Sequence, residues 1–134
     1  MRRGSILILL LLSLAACGRS EAPMDDGVCW RAQFDAAGAP RFTRLASGVG
    51  SLETCAVLLE GRHLQGASSI DGAFQGYFIF VDPDAITSAR HVRGFRYPIF
   101  QPPQRAQVDR DLARLMKQNG GRLPDAGQLT LERR

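Results

Sequence analysis

Histidine and cysteine are scarce in this chain of 134 residues, which contains two histidines and three cysteines. The cysteines lack Cys-x-x-Cys spacing, and no His-Glu-x-x-His motif is present. Zinc sites use three or four ligands at short, characteristic spacings, so the sequence predicts no metal site. It also lacks a phosphate-binding glycine loop and a Gly-x-Ser-x-Gly motif. We therefore expect no cofactor and assign no catalytic residue.

The chain also lacks an apolar run near its start that is long enough to cross a bilayer. Residues 6–12 are uniformly apolar, but a transmembrane helix needs about 20 such residues. Arg2 and Arg3 precede this run, and the mostly small residues 13–16 follow it. The order of positive, apolar and small segments is typical of a secretory signal peptide.

Cys17 follows this segment directly, and Leu14-Ala15-Ala16-Cys17 resembles the lipobox of bacterial lipoproteins. The resemblance implies that Cys17 receives a diacylglycerol, that residues 1–16 are removed, and that the new amino terminus is acylated. Two or more acyl chains hold a protein stably on a membrane. Gly18, in place of an aspartate, implies the outer membrane, with the domain facing the periplasm. The alternative is a plain signal peptide with a chance cysteine.

A strong excess of charge of one sign is missing as well. The formal net charge of +4 falls to about +2 once Arg2 and Arg3 leave with the signal peptide. Nucleic-acid-binding domains carry many cations that neutralise phosphates. We therefore expect no nucleic-acid partner.

Cys29 and Cys55 remain once Cys17 is assigned to lipid. An oxidising compartment favours a disulfide between two such cysteines. Closing the chain between them would add about 3.5 kcal/mol of stability in the chain-entropy model. The alternative, a free or metal-binding pair, has no supporting spacing.

The sequence divides into a signal peptide over residues 1–16, a lipidated flexible tether over 17–27, and one globular domain over 28–134. The tether is assigned because it contains almost nothing apolar. Alternating apolar residues predict strands over 28–34 and 41–46, and Ser51 is a suitable N-cap for a helix that ends before Gly66.

Further along, an aromatic and β-branched run predicts one strand over residues 73–82, and a returning strand is expected over 85–97. A second helix is predicted over 106–119, followed by a short edge strand over 128–131. This order predicts an α+β fold in which a small, mainly antiparallel sheet carries about two helices on one face and one disulfide.

Positive side chains cluster at Arg90, His91, Arg93 and Arg96. Arginine forks match phosphate geometry, so this cluster is a candidate site for phosphate, an anionic glycan or a lipid headgroup. In a strand, however, Arg90 and Arg96 would share one face, and His91 and Arg93 the other. The charges would then protect a solvated sheet edge.

Other candidate residues have simpler structural interpretations. His63 could act as a general base with Glu60 or Asp71, but a histidine also suits the C-terminal end of a helix. Asp82 and Asp84 could act as a pair of carboxylates in acid–base chemistry, but they flank a proline as turn residues do. The aromatic residues of the predicted long strand could line a ligand groove or belong to the core; they are Phe74, Tyr77, Phe78 and Phe80.

The sequence therefore favours a lipid-anchored envelope protein that acts as a binding or accessory module, with the membrane and an envelope protein as partners. Anion or small-ligand binding through the arginine cluster is one alternative. An envelope hydrolase that uses a histidine is the other.

The cysteine assignments predict the number of reactive thiols. The denatured, unreduced protein should show no free thiol, because Cys17 carries lipid and the other two cysteines form a disulfide. Thiol counting with a chromogenic disulfide reagent measures this directly, and two free thiols would refute the disulfide.

Overall fold

A computed structural model describes residues 20–129 of the chain. The predicted signal peptide and the lipid site Cys17 lie outside these residues, as does part of the predicted edge strand over 128–131. No helix among residues 20–129 combines the length and apolar character that crossing a bilayer requires.

The described residues form a six-stranded sheet and two α-helices. In chain order, the elements are β1 (Cys29–Phe34), β2 (Pro40–Ala46), α1 (Leu52–Leu64), β3 (Ile70–Phe74), β4 (Tyr77–Val81), β5 (Ile86–Ala89), β6 (Tyr97–Pro98) and α2 (Pro102–Gln118), with a 3-10 turn over Ala126–Gln128. The strands lie in the order β2-β1-β3-β4-β5-β6, and all neighbours are antiparallel. The predicted α+β class is confirmed.

The single strand predicted over residues 73–82 is wrong, because Gln75 and Gly76 form a hairpin turn within it. Their φ values are 41° and 83°, and positive φ at both central residues is the pattern of a two-residue turn that matches the strand twist. The turn joins β3 to β4, and Ile70 pairs with Val81 at the far end.

The returning strand also differs from the prediction, because it ends at Ala89 instead of continuing to Tyr97. A turn follows, in which the Gly94 amide donates to the His91 carbonyl at 2.9 Å. Only β6 then returns to pair with β5. Residues 90–96 therefore form a loop, and their side chains do not alternate as strand residues would.

Helix α2 begins at Pro102, four residues before its predicted start. Proline is tolerated in the first helical turn, where the amide has no partner within the helix. Just before the helix, the amide of the N-cap residue Gln101 donates to the Gln104 side-chain oxygen at 2.8 Å. At the other end, the 3-10 turn at Ala126–Gln128 occupies the start of the predicted edge strand.

Helix α1 packs on one face of the sheet and is covalently tied to it. Ser51 caps the helix by accepting from the Thr54 amide at 3.1 Å, as predicted. The Cys29–Cys55 disulfide is present, with 5.3 Å between the two Cα atoms, and joins the second turn of α1 to the start of β1. Helix α2 packs in turn against α1, with Leu112 buried beside Gly61.

The contact between α1 and the sheet is closest at Gly72 on β3. A Cβ atom at this position would meet the Leu59 side chain of α1, and it would lie 2.6 Å from the Trp30 carbonyl oxygen of β1. The absence of a side chain at Gly72 therefore allows α1 to lie directly on the centre of the sheet.

The two edges of the sheet are short or carry charge. The edge strand β2 begins at Pro40 and exposes Arg41 and Arg44. The other edge, β6, has two residues, and one of them is Pro98.

The packing at Gly72 predicts the effect of adding one methyl group. Gly72→Ala should lower the free energy of unfolding by about 1–3 kcal/mol, the usual cost of overpacking, because the Trp30 backbone cannot move away freely. Chemical denaturation measures the change. Gly50→Ala is the control, because a Cβ atom there meets nothing within 4 Å. Equal stability of the two variants would contradict this account.

Candidate ligand-binding cleft

The face of the sheet opposite the helices is also apolar. Phe78 lies fully buried at its centre, and its ring centroid is 6.1–6.3 Å from those of Phe34, Phe42 and Phe80. Trp30 packs on the same cluster, and the Arg44 guanidinium lies 5.8 Å from the centre of its ring. We call this set of rings the aromatic face. It includes Phe78 and Phe80 from the predicted groove, whereas Phe74 belongs to the core beneath α1.

Two irregular segments cover part of the aromatic face. The first, residues 20–24, packs Ala22 onto it with 4% exposure, and the Pro23 carbonyl accepts from the Gly76 amide at 2.9 Å. The second is the loop over residues 90–96, whose Val92 packs on the same cluster. Part of the segment that the sequence assigns to a tether thus contacts the sheet.

An open cleft of about 720 Å³ lies where these segments meet the turn between β1 and β2. Phe34 and Val92 supply its large apolar side chains, and His91 and Arg93 bring polar and charged groups to it. Its other lining residues are Ser20, Ala37 and Gly38. The lining therefore combines an apolar surface with a cation.

The structure divides the predicted cluster of positive residues into two pairs. His91 and Arg93 line the cleft. Arg90 and Arg96 instead stack on aromatic rings, with guanidinium carbons 5.1 Å from the centre of Tyr77 and 3.7 Å from that of Phe80. Such cation–π contacts orient the guanidinium groups over the rings.

Arg96 is partly neutralised, whereas Arg93 is not. Arg96 lies 3.7 Å from the Asp82 carboxylate. Burial raises the pKa of nearby Asp71, and the charge of Asp82 raises it further, while Arg96 acts in the opposite direction. Within residues 20–129, no carboxylate lies within ion-pair distance of Arg93. Arg93 is therefore the cluster member best placed to meet an anionic ligand.

His63 has a structural role and is not paired with either carboxylate considered for it, Glu60 or Asp71. Its Nδ1 atom lies 2.6 Å from the Ala67 carbonyl oxygen and donates to it. The ring therefore fixes the chain just after the end of α1, which is a structural role. Asp71 alternates with Ile70 on β3 and faces the side of the sheet opposite α1. Asp82 belongs to a turn, in which its amide donates to the Ala85 carbonyl at 2.9 Å.

Glu60 is occupied by an ion pair that joins the two helices. Its carboxylate, 1% exposed, accepts two hydrogen bonds from Arg105, at 3.1 and 3.0 Å. Burial raises the pKa of Glu60, and nearby Asp109 adds to this effect, while Arg105 opposes it. Glu60 therefore connects α1 to α2 and is not free to assist His63.

Sequence reasoning missed the cleft because its residues come from three distant segments. From the sequence, Phe34 is assigned only to a strand and Ser20 only to the tether. The alternation in the first strand does place Trp30 and Phe34 on one face, and this was the available signal.

Comparison of the chain with protein-family models, with curated proteins and with solved structures gives no match. Within residues 20–129, no group of three or more His, Cys, Asp or Glu side chains could hold a metal ion. The cleft is therefore the feature from which a function can be inferred.

The buried ion pair predicts a pH-dependent effect of removing Arg105. Without the guanidinium, Glu60 must be either protonated or buried as an unpaired carboxylate. Arg105→Met should cost about 3–5 kcal/mol of stability near pH 7.5, the usual effect of breaking a buried pair. It should cost much less near the ordinary Glu60 pKa of 4.5, where the buried carboxyl holds its proton.

Urea denaturation at the two pH values measures this difference. Because the folded-state pKa of Glu60 is raised, the stability linked to its protonation is lost as the pH rises above 4.5. The control is Arg114→Met, which breaks an exposed pair with Asp111 and should cost less than about 1 kcal/mol at either pH. A loss for Arg105→Met that is equal at both pH values would contradict the account.

Proposed function

We propose that this protein is a lipid-anchored component of a bacterial cell envelope, held at the outer membrane through Cys17. In this proposal its domain is a non-catalytic binding module for an amphipathic ligand that carries an anionic group. The observation that carries the proposal is the incomplete cover of the aromatic face, with Arg93 unpaired by the described carboxylates at the resulting cleft.

The apolar part of the cleft favours a hydrocarbon portion in the ligand. Phe34 and Val92 line it, and both are only partly buried. Removing apolar surface from water contributes about 25 cal/mol per Å², so covering these side chains would favour binding.

The charged part of the cleft favours an anionic group. Arg93 offers a fork of donors that suits a phosphate or a carboxylate. His91 lies beside it and adds a ring donor. A hydrolase that uses His63 receives no comparable support, because the His63 ring is bonded to a backbone carbonyl. His91 lines the cleft, but within residues 20–129 no carboxylate lies within ion-pair distance of its ring.

Binding of dodecyl phosphate tests the proposal. The intact protein should bind this probe below its micelle-forming concentration, and Arg93→Glu should weaken the affinity at least about tenfold, since a charge-assisted hydrogen bond contributes about 1.5–3 kcal/mol. Isothermal titration calorimetry measures both dissociation constants. Inorganic phosphate alone should bind much more weakly, because it covers no apolar surface.

The matched control is Arg110→Glu, which makes the same charge change on the exposed surface of α2. Equal affinity of the two glutamate variants for dodecyl phosphate would contradict the assignment of the cleft. Absence of binding by the unmodified protein would do the same, and crosslinking in the native envelope would then test for a protein partner.

A further inference from the structure

We infer that the ligand of the cleft is the bilayer surface to which the protein is anchored, recognised through the phosphate of anionic lipid headgroups. The loop over residues 90–96, together with Tyr97, would then rest on the membrane. This inference depends on the proposed lipidation of Cys17 and adds the identity of the ligand and the orientation of the domain.

The short distance along the chain from the proposed anchor to the cleft gives the first argument. Ser20 lines the cleft together with His91 and Arg93. Cys17 precedes Ser20 by three residues, and a fully extended chain of that length reaches about 11 Å. A diacylated Cys17 must lie at the bilayer surface, so Ser20 and the cleft beside it cannot be more than about that distance from the headgroups.

Two exposed aromatic side chains shortly after Arg93 in the chain give the second argument. Phe95 and Tyr97 are 78% and 62% exposed, and their ring centroids lie 5.1 Å apart. The two rings form an apolar patch in contact with water, and Tyr and Trp rings are enriched at the headgroup level of membranes. A soluble anion would leave both rings in water, so they favour a lipid over a free phosphate.

The positive charge of Arg93 on the loop over residues 90–96 gives the third argument. Arg93 is exposed and does not lie within ion-pair distance of a described carboxylate. Carboxylates near the cleft are Glu21, beside Ser20, and Asp35, whose Oδ1 accepts from the Ala37 and Ala39 amides at 2.9 Å. Cations close to a membrane are attracted by the negative potential of anionic lipids.

Depth-dependent fluorescence quenching tests the orientation. The mature lipoprotein is purified, its acylation at Cys17 is established by intact mass, and it is reconstituted into phosphatidylcholine vesicles with or without phosphatidylglycerol. The vesicles contain phosphatidylcholine brominated near the headgroup. A Phe95→Trp variant places a fluorophore on the loop, and the signal of the unmodified protein, which contains only Trp30, is subtracted.

The matched control is Leu64→Trp, at a position 42% exposed at the end of α1, on the helical side of the sheet. We expect the quenching of Phe95→Trp to exceed that of Leu64→Trp at least threefold in vesicles that contain phosphatidylglycerol. Adding Arg93→Glu to the Phe95→Trp variant, or raising the salt concentration, should reduce the excess.

The possible results distinguish a failure of this inference from a failure of the proposed lipid anchor. Equal quenching of the two tryptophan variants in an acylated protein would overturn the orientation and leave the anchor intact. Quenching of Phe95→Trp that is the same without phosphatidylglycerol would overturn recognition of anionic headgroups. A protein that lacks acyl chains on Cys17, seen by mass before reconstitution, would overturn the proposed anchor and this inference with it.

Discussion

Both faces of the sheet are apolar, and the need to cover both of them determines how the rest of the chain is arranged. The helices cover one face and bury a continuous core that includes Leu59, Ile79 and Val81. No helix among residues 20–129 covers the other face, and the N-terminal segment and the loop over residues 90–96 lie on it instead. These segments cover the aromatic face incompletely, and the cleft is the part around Phe34 that they leave accessible.

The helical side and the aromatic face differ in how they are held together. On the helical side, the Cys29–Cys55 disulfide joins α1 to β1, and the Glu60–Arg105 ion pair joins α2 to α1. On the aromatic face, the covering segments are held by noncovalent contacts: Ala22 and Val92 pack on the rings, the Pro23 carbonyl accepts from the Gly76 amide, and Arg96 stacks on Phe80 and pairs with Asp82. A site beneath a cover that is not covalently tied to the sheet can change its contacts without disturbing the core.

The sequence predicted those elements that are determined by local chemistry. Ser51 was identified as a helix cap because its hydroxyl can satisfy a free amide. The disulfide followed from cysteine arithmetic, and the first two strands followed from alternation. The hairpin at Gln75 and Gly76 was missed because Gln-Gly is not the usual Asn-Gly signal, and because β3 contains Asp71 and Gly72, which are poor strand formers.

The cleft could not be predicted from local sequence patterns, because it depends on which strands are neighbours in the sheet. Strand β3 follows α1 in the chain, yet it pairs with β1 instead of the edge strand β2. Because β3 pairs with β1, strands β4 and β5 and the loop after them lie on the same side of β1 as residues 20–24, which contact the turn between β3 and β4. Ser20, Phe34 and Arg93 meet only because of this pairing, and no spacing in the sequence encodes it.

The prolines at the two sheet edges restrict how another molecule can join this one. Adding a strand to a sheet requires a row of free amides and carbonyls, but β6 is two residues long and Pro98 has no amide hydrogen. At the opposite edge, Pro40 and the charged side chains of Arg41 and Arg44 make a growing sheet unfavourable. Copies of the domain at high local concentration would therefore be protected from polymerising edge to edge, and the faces of the sheet are left as the surfaces open to contact.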